Sequence, residues 1–392
     1  MGGGPELQLQ PGRLGGLAPV LKALAATIGL AWLGLVAVAG FTGSQDGSSN
    51  PANYLTWLYF WPGAAILVAV VGDVSRYFNP WGRLGSLLVR ASQAGRRPGY
   101  VWPAVVAFAA FAWFDLASGL SNRPRDLAIA VVVFSALVLL PVPLAGAGWI
   151  ATAEPFGLVL GAIGRMSLRA ALRRVGWPAD GPAGGWDHFV LLLLPLAAGL
   201  FDALIATPQW TSLAGSVAGG AGLERGGPVF AAIRTAGLGI TCLTVATVML
   251  GAAAAVGSRR RLAATARLVA QVTLPVAVAI MAAHNLPALL QLGPRLPGVL
   301  GGFVTGRASA PSTSPETAVF VTSSSPIWTI EVAIMVLGLL WSAWFAWRDM
   351  ERPSASGFDK VAAAYPAWAF LAATTAAAFV ILYQPVSALT GR

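Results

Sequence analysis

Residues 127–147 read LAIAVVVFSALVLLPVPLAGA, a run of 21 residues without a charged side chain. A membrane-spanning helix needs about 20 mostly apolar residues to cross roughly 30 Å of hydrocarbon. This run is long enough for that, and the backbone groups of a helix bond to one another without water. Eight further stretches have the same character. The sequence therefore predicts an all-α polytopic membrane protein with about nine transmembrane helices.

The predicted spans lie throughout the chain, so we interpret residues 1–392 as a single transmembrane helical domain. The first span has neither the short apolar core nor the A-x-A cleavage pattern of a secretory signal, so we interpret it as a retained helix. The nine predicted spans cover residues 18–41, 53–73, 101–119, 126–147, 188–207, 229–255, 269–290, 327–347 and 362–383.

The composition supports the membrane interpretation and excludes other classes. Hydrophobic residues make up 56% of the chain and charged residues only 10%, whereas an ordinary soluble domain has about 25% charged residues. This excludes a cytosolic or secreted enzyme, a disordered regulator and a nucleic-acid binder. With one cysteine and two histidines, the chain has no disulfide framework, cysteine-rich metal cluster or multi-histidine metal site. It contains no nucleotide-binding loop, so ATP is not an expected partner.

The basic residues predict the orientation of the chain. When alternate connections are counted, 18 of the 25 Lys and Arg residues fall on the side that holds the N-terminus. Basic residues accumulate on the cytoplasmic side of membrane proteins. We therefore expect a cytoplasmic N-terminus and an extracytoplasmic C-terminus, and the net charge of +10 reports topology and contact with anionic lipid headgroups.

The connections on the two sides differ in character. The outer connections 208–228 and 291–326 are rich in Gly, Ser, Thr and Pro, and they are either flexible loops or lids folded over the outer face. The inner segments 76–100 and 155–175 alternate Arg with apolar residues, which favours helices lying in the interface. Membrane anchoring is the preferred role for these segments, and partner docking is the alternative. The arginines expected to contact lipid are Arg76, Arg83, Arg90, Arg165, Arg169 and Arg173.

Two inner segments, 72–92 and 146–167, resemble each other at an offset of 75 residues. Asn79-Pro80-Trp81-Gly82 matches Glu154-Pro155-Phe156-Gly157, and each run is followed by Arg and Ser at equal distances. Pro favours the first turn of a helix. The match predicts a parallel repeat of the kind found in some transporters, and chance similarity of two helix starts is the alternative.

Five helices each place one ionisable residue at a similar depth, roughly 6–9 Å inside the outer boundary at about 1.5 Å per residue. Ionisable residues inside spans are costly and by default indicate a site. The five form a predicted ligand-binding layer near the outer face: Asp115, Asp202, Arg234, His284 and Glu331.

The residue types of this layer allow several kinds of chemistry. Asp115, Asp202, His284 and Glu331 suit one divalent metal ion, and a carboxylate with an imidazole can activate a water molecule. His284 and Asp202 are therefore the candidate catalytic residues. Structural ion pairing, for example of Arg234 with Asp202 or Glu331, and unrelated interfacial residues are the alternatives.

Several segments in order along the chain are similar to the fenitrothion hydrolase-like family of bacterial multi-pass membrane proteins. The resemblance implies a bacterial cytoplasmic membrane protein and hydrolysis of phosphotriesters. The segments that carry it are Gly72-Asp73-Val74 with Tyr77 through Trp81, Ser121 through Ala128, Phe201-Asp202-Ala203 with Ala206-Thr207-Pro208 and Trp210, Pro275 through Asn285, Val336-Leu337-Gly338, and Tyr383-Gln384-Pro385.

The departures from the family pattern bear directly on function. The resemblance implies histidine where this chain has Leu339 and Trp347, and often a polar residue at Met281. Of that polar set His284 remains, together with Asp202. If hydrolysis needs the missing histidines, this chain has lost it.

Three functions follow. The first is a membrane-embedded scaffold or binding subunit of a larger cell-envelope complex, with other membrane subunits as partners and a polar pocket near the outer face. The second is a metal-assisted hydrolase of small esters or phosphoesters. The third is a transporter or channel for a small solute.

Overall fold

The computed structural model describes residues 17–88, 99–146, 148–172, 185–220, 227–256, 262–306, 324–349 and 357–382. All regular structure within these ranges is helical. The all-α prediction is therefore confirmed for the described part of the chain.

The helices are named α1 to α19 in chain order, and a stretch of π-helix over Leu55–Gly63 joins α2 to α3. Their bounds are α1 Leu17–Thr42, α2 Pro51–Tyr54, α3 Ala64–Val71, α4 Ser75–Phe78, α5 Pro80–Leu88, α6 Trp102–Leu116, α7 Pro124–Leu139, α8 Val142–Ala145, α9 Ile150–Ala153, α10 Pro155–Arg165, α11 Leu168–Leu172, α12 Trp186–Ile205, α13 Pro208–Gly220, α14 Pro228–Ala255, α15 Leu262–Val272, α16 Leu274–Gln291, α17 Leu296–Thr305, α18 Ser324–Asp349 and α19 Gly357–Leu382.

Proline explains where many of these helices begin. Its missing N–H falls among the first-turn amides that have no partner within the helix, and its fixed φ suits the helical backbone. Six helices start on a proline, namely those that begin at Pro51, Pro80, Pro124, Pro155, Pro208 and Pro228.

Eight apolar stretches in the described residues are long enough to cross a membrane. They match eight of the nine predicted spans. The remaining predicted span, 101–119, corresponds to α6, an apolar helix of only 15 residues. The eight stretches are Pro19–Thr42, Pro51–Val71, Pro124–Ala145, Trp186–Ile205, Pro228–Ala255, Leu262–Thr305, Pro326–Arg348 and Ala364–Leu382.

The chain is thus a multi-pass α-helical membrane protein, and the prediction of nine spans depends on whether α6 crosses. Its 15 residues extend about 22 Å at 1.5 Å per residue, which is short of the full hydrocarbon thickness. The orientation from the basic residues stays a prediction. We refer to the end of the bundle that the charges assign to the outside as the outer end.

The core forms around α12, which packs against α6, α14, α15, α16 and α19. Leu191 and Leu196 of α12 are almost completely buried, as are Ile280 of α16 and Phe345 of α18. Helix α12 is therefore surrounded by protein, while α1, α7 and α14 keep large exposed apolar surfaces, as expected of helices that face lipid.

Helices α16 and α18 approach each other closely at Gly338. A Cβ atom at this position would overlap Ala279 and lie 3.1 Å from the carbonyl oxygen of Pro275. One turn away, the Val276 N–H at the start of α16 donates to Ser342 Oγ of α18 at 3.2 Å. A side chain of one helix thus satisfies a first-turn amide of the other, which sets their register.

Both outer connections contain helices that the sequence interpretation did not assign. Residues 208–220 form α13, and residues 296–305 form α17. Val299 of α17 packs with Tyr54 and Leu58, and the Tyr59 hydroxyl donates to the Gly293 carbonyl at 2.9 Å. Residues 296–305 therefore fold back over the outer ends of the early helices, in the manner of the lid alternative. The parts 221–226 and 307–323 lie outside the described residues.

Helix α10 corrects the interpretation of segment 155–175 as a helix on the membrane surface. Phe156, Val159, Leu160 and Ile163 are all at most 5% exposed. Their side chains pack in the main core, against residues of α3, α6, α12 and α16. The apolar side chains of this segment do avoid water, but they are covered by the core of the protein and not by lipid. Helix α5 differs, because Leu87 and Leu88 remain exposed.

The two similar inner segments have the same local structure. In the first, Asn79 lies between the end of α4 and the start of α5 at Pro80. In the second, Glu154 lies between the end of α9 and the start of α10 at Pro155. Asn79 and Glu154 both have extended backbone, with ψ of 110° and 105°. A short helix, an extended polar residue and a helix that starts on proline therefore follow one another in both segments, at the offset of 75 residues seen in the sequence.

The equivalent residues of the two segments also contact each other. Asn79 Nδ2 donates to Glu154 Oε2 at 2.6 Å, and the Trp81 and Phe156 rings stack with centroids 5.7 Å apart. Phe60 meets Phe156 and Phe134 meets Trp81, each pair edge to face at 4.9 Å. Such reciprocal contacts are what a local two-fold axis between two similar units produces.

Candidate functional site

The outer polar layer is organised around one pair of side chains. His284 Nε2 of α16 lies 3.3 Å from Asp202 Oδ2 of α12, and the two side chains are 15% and 22% exposed. The neighbours Phe201 and Ala283 are fully buried, so the helix packing directs the pair into the space between α12 and α16. A carboxylate in this place orients the imidazole ring.

Glu331 of α18 is the third member of the layer that the structure brings close. It interacts electrostatically with His284, because α18 packs along α16. Glu331 also lines a narrow cleft between α18 and α19. Asp202, His284 and Glu331 thus form a row across three neighbouring helices.

Asp115 and Arg234 are half-buried on α6 and α14, and both have polar interactions. The two helices are tied together near these residues, where Trp113 Nε1 donates to Thr235 Oγ1 at 3.0 Å. Each of the five helices contacts at least one of the others.

The structure does not bring the four candidate metal ligands together as one group. Among the described residues, which include all four candidates, no group of three or more His, Cys, Asp or Glu side chains can hold a metal ion. Asp115 lies on α6, which packs against α12, whereas Glu331 lies on α18, which packs against α16. The two carboxylates are therefore on opposite sides of the Asp202–His284 pair, and a divalent cofactor bound by Asp115, Asp202, His284 and Glu331 is not supported.

The positions where the family resemblance implies polar residues are occupied by packing residues. Met281 is buried, and Leu339 contacts the main core. Trp347 stacks on Trp368 with ring centroids 5.7 Å apart, and Trp344 is 41% exposed on the outside of the bundle. Met281, Leu339 and Trp347 therefore contribute to packing in this structure.

Two buried carboxylates at the inner side hold the fold together, and the sequence interpretation missed their roles. Asp187 Oδ2 accepts from the Val101 N–H at 2.7 Å, which joins the start of α12 to the start of α6. His188, the next residue of α12, is a partner of Asp187, with Nδ1 3.1 Å from Oδ1.

Glu154 is the second of these carboxylates and is 2% exposed. Its oxygens accept from the Phe156 and Gly157 N–H groups at 2.8 and 2.7 Å, and from Asn79. Burial raises the pKa of the Glu154 carboxyl, and these hydrogen bonds oppose the increase. The signal in the sequence was an acidic residue directly before a proline-started apolar helix, a typical N-cap pattern.

The arginines expected at the lipid surface are partly within the described residues. Arg76, Arg83, Arg165 and Arg169 are exposed, Arg76 stacks on Tyr77 at 4.8 Å, and Arg165 interacts with Asp73. Arg90 and Arg173 lie outside the described residues. Contact of these arginines with anionic headgroups stays a prediction.

Comparison with known proteins gives no match: neither a family model, nor a curated protein, nor a solved structure is similar to this chain. The resemblance to the fenitrothion hydrolase-like family therefore stays a prediction.

Proposed function

We propose that this chain is a scaffold or binding subunit of a larger complex in the bacterial cytoplasmic membrane. The observation that supports the proposal is the exposed face of α14. This face, called the small-residue face, is formed by Ala232, Ala236, Gly239, Thr247 and Gly251, which surround the larger Ile240 and Leu243.

Small residues have a specific use in membranes. Because lipid tails are as apolar as leucine, helices associate through close packing, and Gly, Ala, Ser and Thr let their backbones approach. No atom lies within 4 Å of a Cβ placed on Gly239 or Gly251, so the space beside both is open. The Thr247 hydroxyl donates to the Leu243 carbonyl of its own helix at 2.8 Å and therefore tolerates a dry interface.

Another exposed helix of the bundle provides the contrast. On α7 the exposed side chains are branched, including Val132 at 46%, Val133 at 50% and Leu137 at 67%. Such a surface suits fluid lipid. On α14, the glycines and alanines beside Ile240 and Leu243 leave room for the backbone of a neighbouring helix. We infer that the partner is a membrane-spanning helix of another subunit.

Site-specific crosslinking in native membranes tests this proposal. A photoreactive residue at Gly239 or Gly251 is expected to form one defined adduct with another chain, and the same residue at Leu137 is expected to give only lipid adducts. Gly239→Leu combined with Gly251→Leu is expected to abolish co-purification of that partner.

Two results would contradict the proposal. Equal crosslinking from Leu137 and Gly239 would show that α14 has no preferred neighbour. An adduct of twice the mass of the chain would identify a second copy in place of another subunit.

A hydrolase is the second candidate, and the Asp202–His284 pair favours it. A carboxylate that orients one imidazole nitrogen leaves the other available as a general base for water. Without a bound metal, such a site would act on an activated ester or phosphotriester.

The test measures turnover of a phosphotriester and of a carboxylic ester by the purified chain. His284→Ala is expected to abolish activity and Asp202→Asn to reduce it, while His188→Ala serves as the matched control. Turnover that survives in His284→Ala would end the hydrolase proposal.

A further inference from the structure

The cleft between α18 and α19 near the outer end combines one carboxylate with aromatic and apolar walls. Trp328, Glu331 and Met335 are spaced by three and four residues, so they follow one face of α18. Phe379 and Leu382 form the opposite wall on α19. The cleft is lined by Trp328, Glu331, Val332, Met335, Phe379 and Leu382.

The cleft opens on the surface of the bundle. Met335 is 2% exposed and lies at the bottom, whereas Trp328 and Phe379 are 45% and 37% exposed at the edges. Because both walls are membrane-spanning stretches, the opening is expected to face the hydrocarbon and not water. A molecule that enters must therefore be largely apolar.

The charge of the outer layer determines what kind of polar group fits. The five layer residues comprise three carboxylates, one guanidinium and one imidazole. The carboxylates therefore outnumber the guanidinium three to one. Glu331 connects this negative layer to the cleft, and a negative charge at membrane depth is stabilised by a cation.

Trp328 adds a second feature that attracts a cation. Its ring lies one turn of α18 outward of Glu331, and the face of an indole ring attracts ammonium groups. A carboxylate beside an exposed indole is a complementary environment for an organic ammonium ion. Val332, Met335 and Phe379 continue the same cleft as an apolar path.

We propose that this cleft binds an aminophospholipid, with its protonated primary amine at Glu331. The ammonium N–H groups donate to the carboxylate, the Trp328 ring packs on the cation, and an acyl chain lies along Val332 and Phe379. A quaternary ammonium has no N–H to donate, so the carboxylate distinguishes a primary amine from choline.

Lipid binding to the full-length chain in mild detergent tests the proposal, with bound lipid counted by native mass spectrometry. Phosphatidylethanolamine and phosphatidylcholine with identical acyl chains are compared, with phosphatidylglycerol as the anionic reference. The wild-type chain is expected to prefer the ethanolamine lipid about tenfold, the value of one hydrogen bond to a charged group.

Glu331→Gln is expected to lose this preference, and Glu331→Asp to keep part of it. Met335→Trp fills the bottom of the cleft and is expected to reduce binding with the carboxylate intact. Asp126→Asn is the matched control, because Asp126 is another outer carboxylate and is paired with Arg123 at 3.9 Å. Thermal stability of each variant is measured in parallel, and Met335→Trp and Glu331→Asp provide the test if Glu331→Gln does not fold.

Two outcomes would overturn the proposal. Equal binding of the ethanolamine and choline lipids by the wild-type chain would exclude recognition of the primary amine. Unchanged preference in folded Glu331→Gln or Met335→Trp would place the bound lipid elsewhere on the protein.

Discussion

Glu154 offers the sharpest test of how the inner half of the bundle is held together. Its carboxylate is the acceptor for the amides of Phe156 and Gly157 and for the side chain of Asn79, at 2.6 to 2.8 Å. The residue is 2% exposed, so water does not replace a lost acceptor. Glu154→Ala is expected to lower the free energy of unfolding by about 2–5 kcal/mol, because each buried donor left without a partner costs about 1–3 kcal/mol.

The reciprocal arrangement of Asn79 and Glu154 permits a second, more specific experiment. Asn79→Glu alone places two carboxylates against each other and is expected to destabilise the protein strongly. Asn79→Glu combined with Glu154→Asn restores one carboxylate and one amide across the same contact. The double variant is therefore expected to be more stable than Asn79→Glu, although the single changes are both harmful.

The single cysteine provides the assay. Cys242 is half-buried in α14, so a thiol-reactive dye reports unfolding of the detergent-solubilised chain on heating. Asp126→Ala, a change at a half-exposed carboxylate, is the control. An unfolding midpoint of Glu154→Ala equal to that of the control would refute the role of Glu154, and a double variant no more stable than Asn79→Glu would refute the reciprocal contact.

Further predictions concern pH and close packing. Burial raises the pKa of Glu154 above its unfolded value. The contribution of Glu154 to the free energy of unfolding is therefore complete below the unfolded pKa and is lost as the pH rises through the folded pKa. An unfolding midpoint of Glu154→Gln that depends on pH in the same way as the wild-type midpoint would contradict this expectation. Gly338→Ala is expected to cost about 1–3 kcal/mol through overlap between α16 and α18, whereas Gly239→Ala, which meets open space, should leave the midpoint unchanged. Ser342→Ala removes the buried acceptor of the Val276 N–H and is expected to cost about 1–3 kcal/mol, measured by the same thermal assay.

The sequence alone determined the class of this protein, because the hydrophobic requirement for crossing a membrane is local. Twenty consecutive apolar residues define a span wherever they occur, and eight predicted spans match helices of sufficient length. The starts of α5 and α10 were also readable, since proline after a polar residue specifies a helix start through short-range sterics and hydrogen bonding.

The tertiary structure decided which of these residues contact one another. Asp115 and Glu331 lie at a similar depth in the sequence interpretation, but depth along a helix does not specify the direction in which a side chain points or the neighbours of that helix. The order of packing, with α12 and α16 between α6 and α18, separates the two carboxylates and leaves Asp202 paired with His284.

The same reason explains α10 and the α18–α19 cleft. An alternation of Arg with apolar residues shows that one side of a helix avoids water, and it does not show whether lipid or protein covers that side. For α10 the covering surface is the core of the same chain. Trp328, Glu331 and Phe379 become one cleft only because α19 packs back against α18, a long-range contact that no local pattern in the sequence encodes.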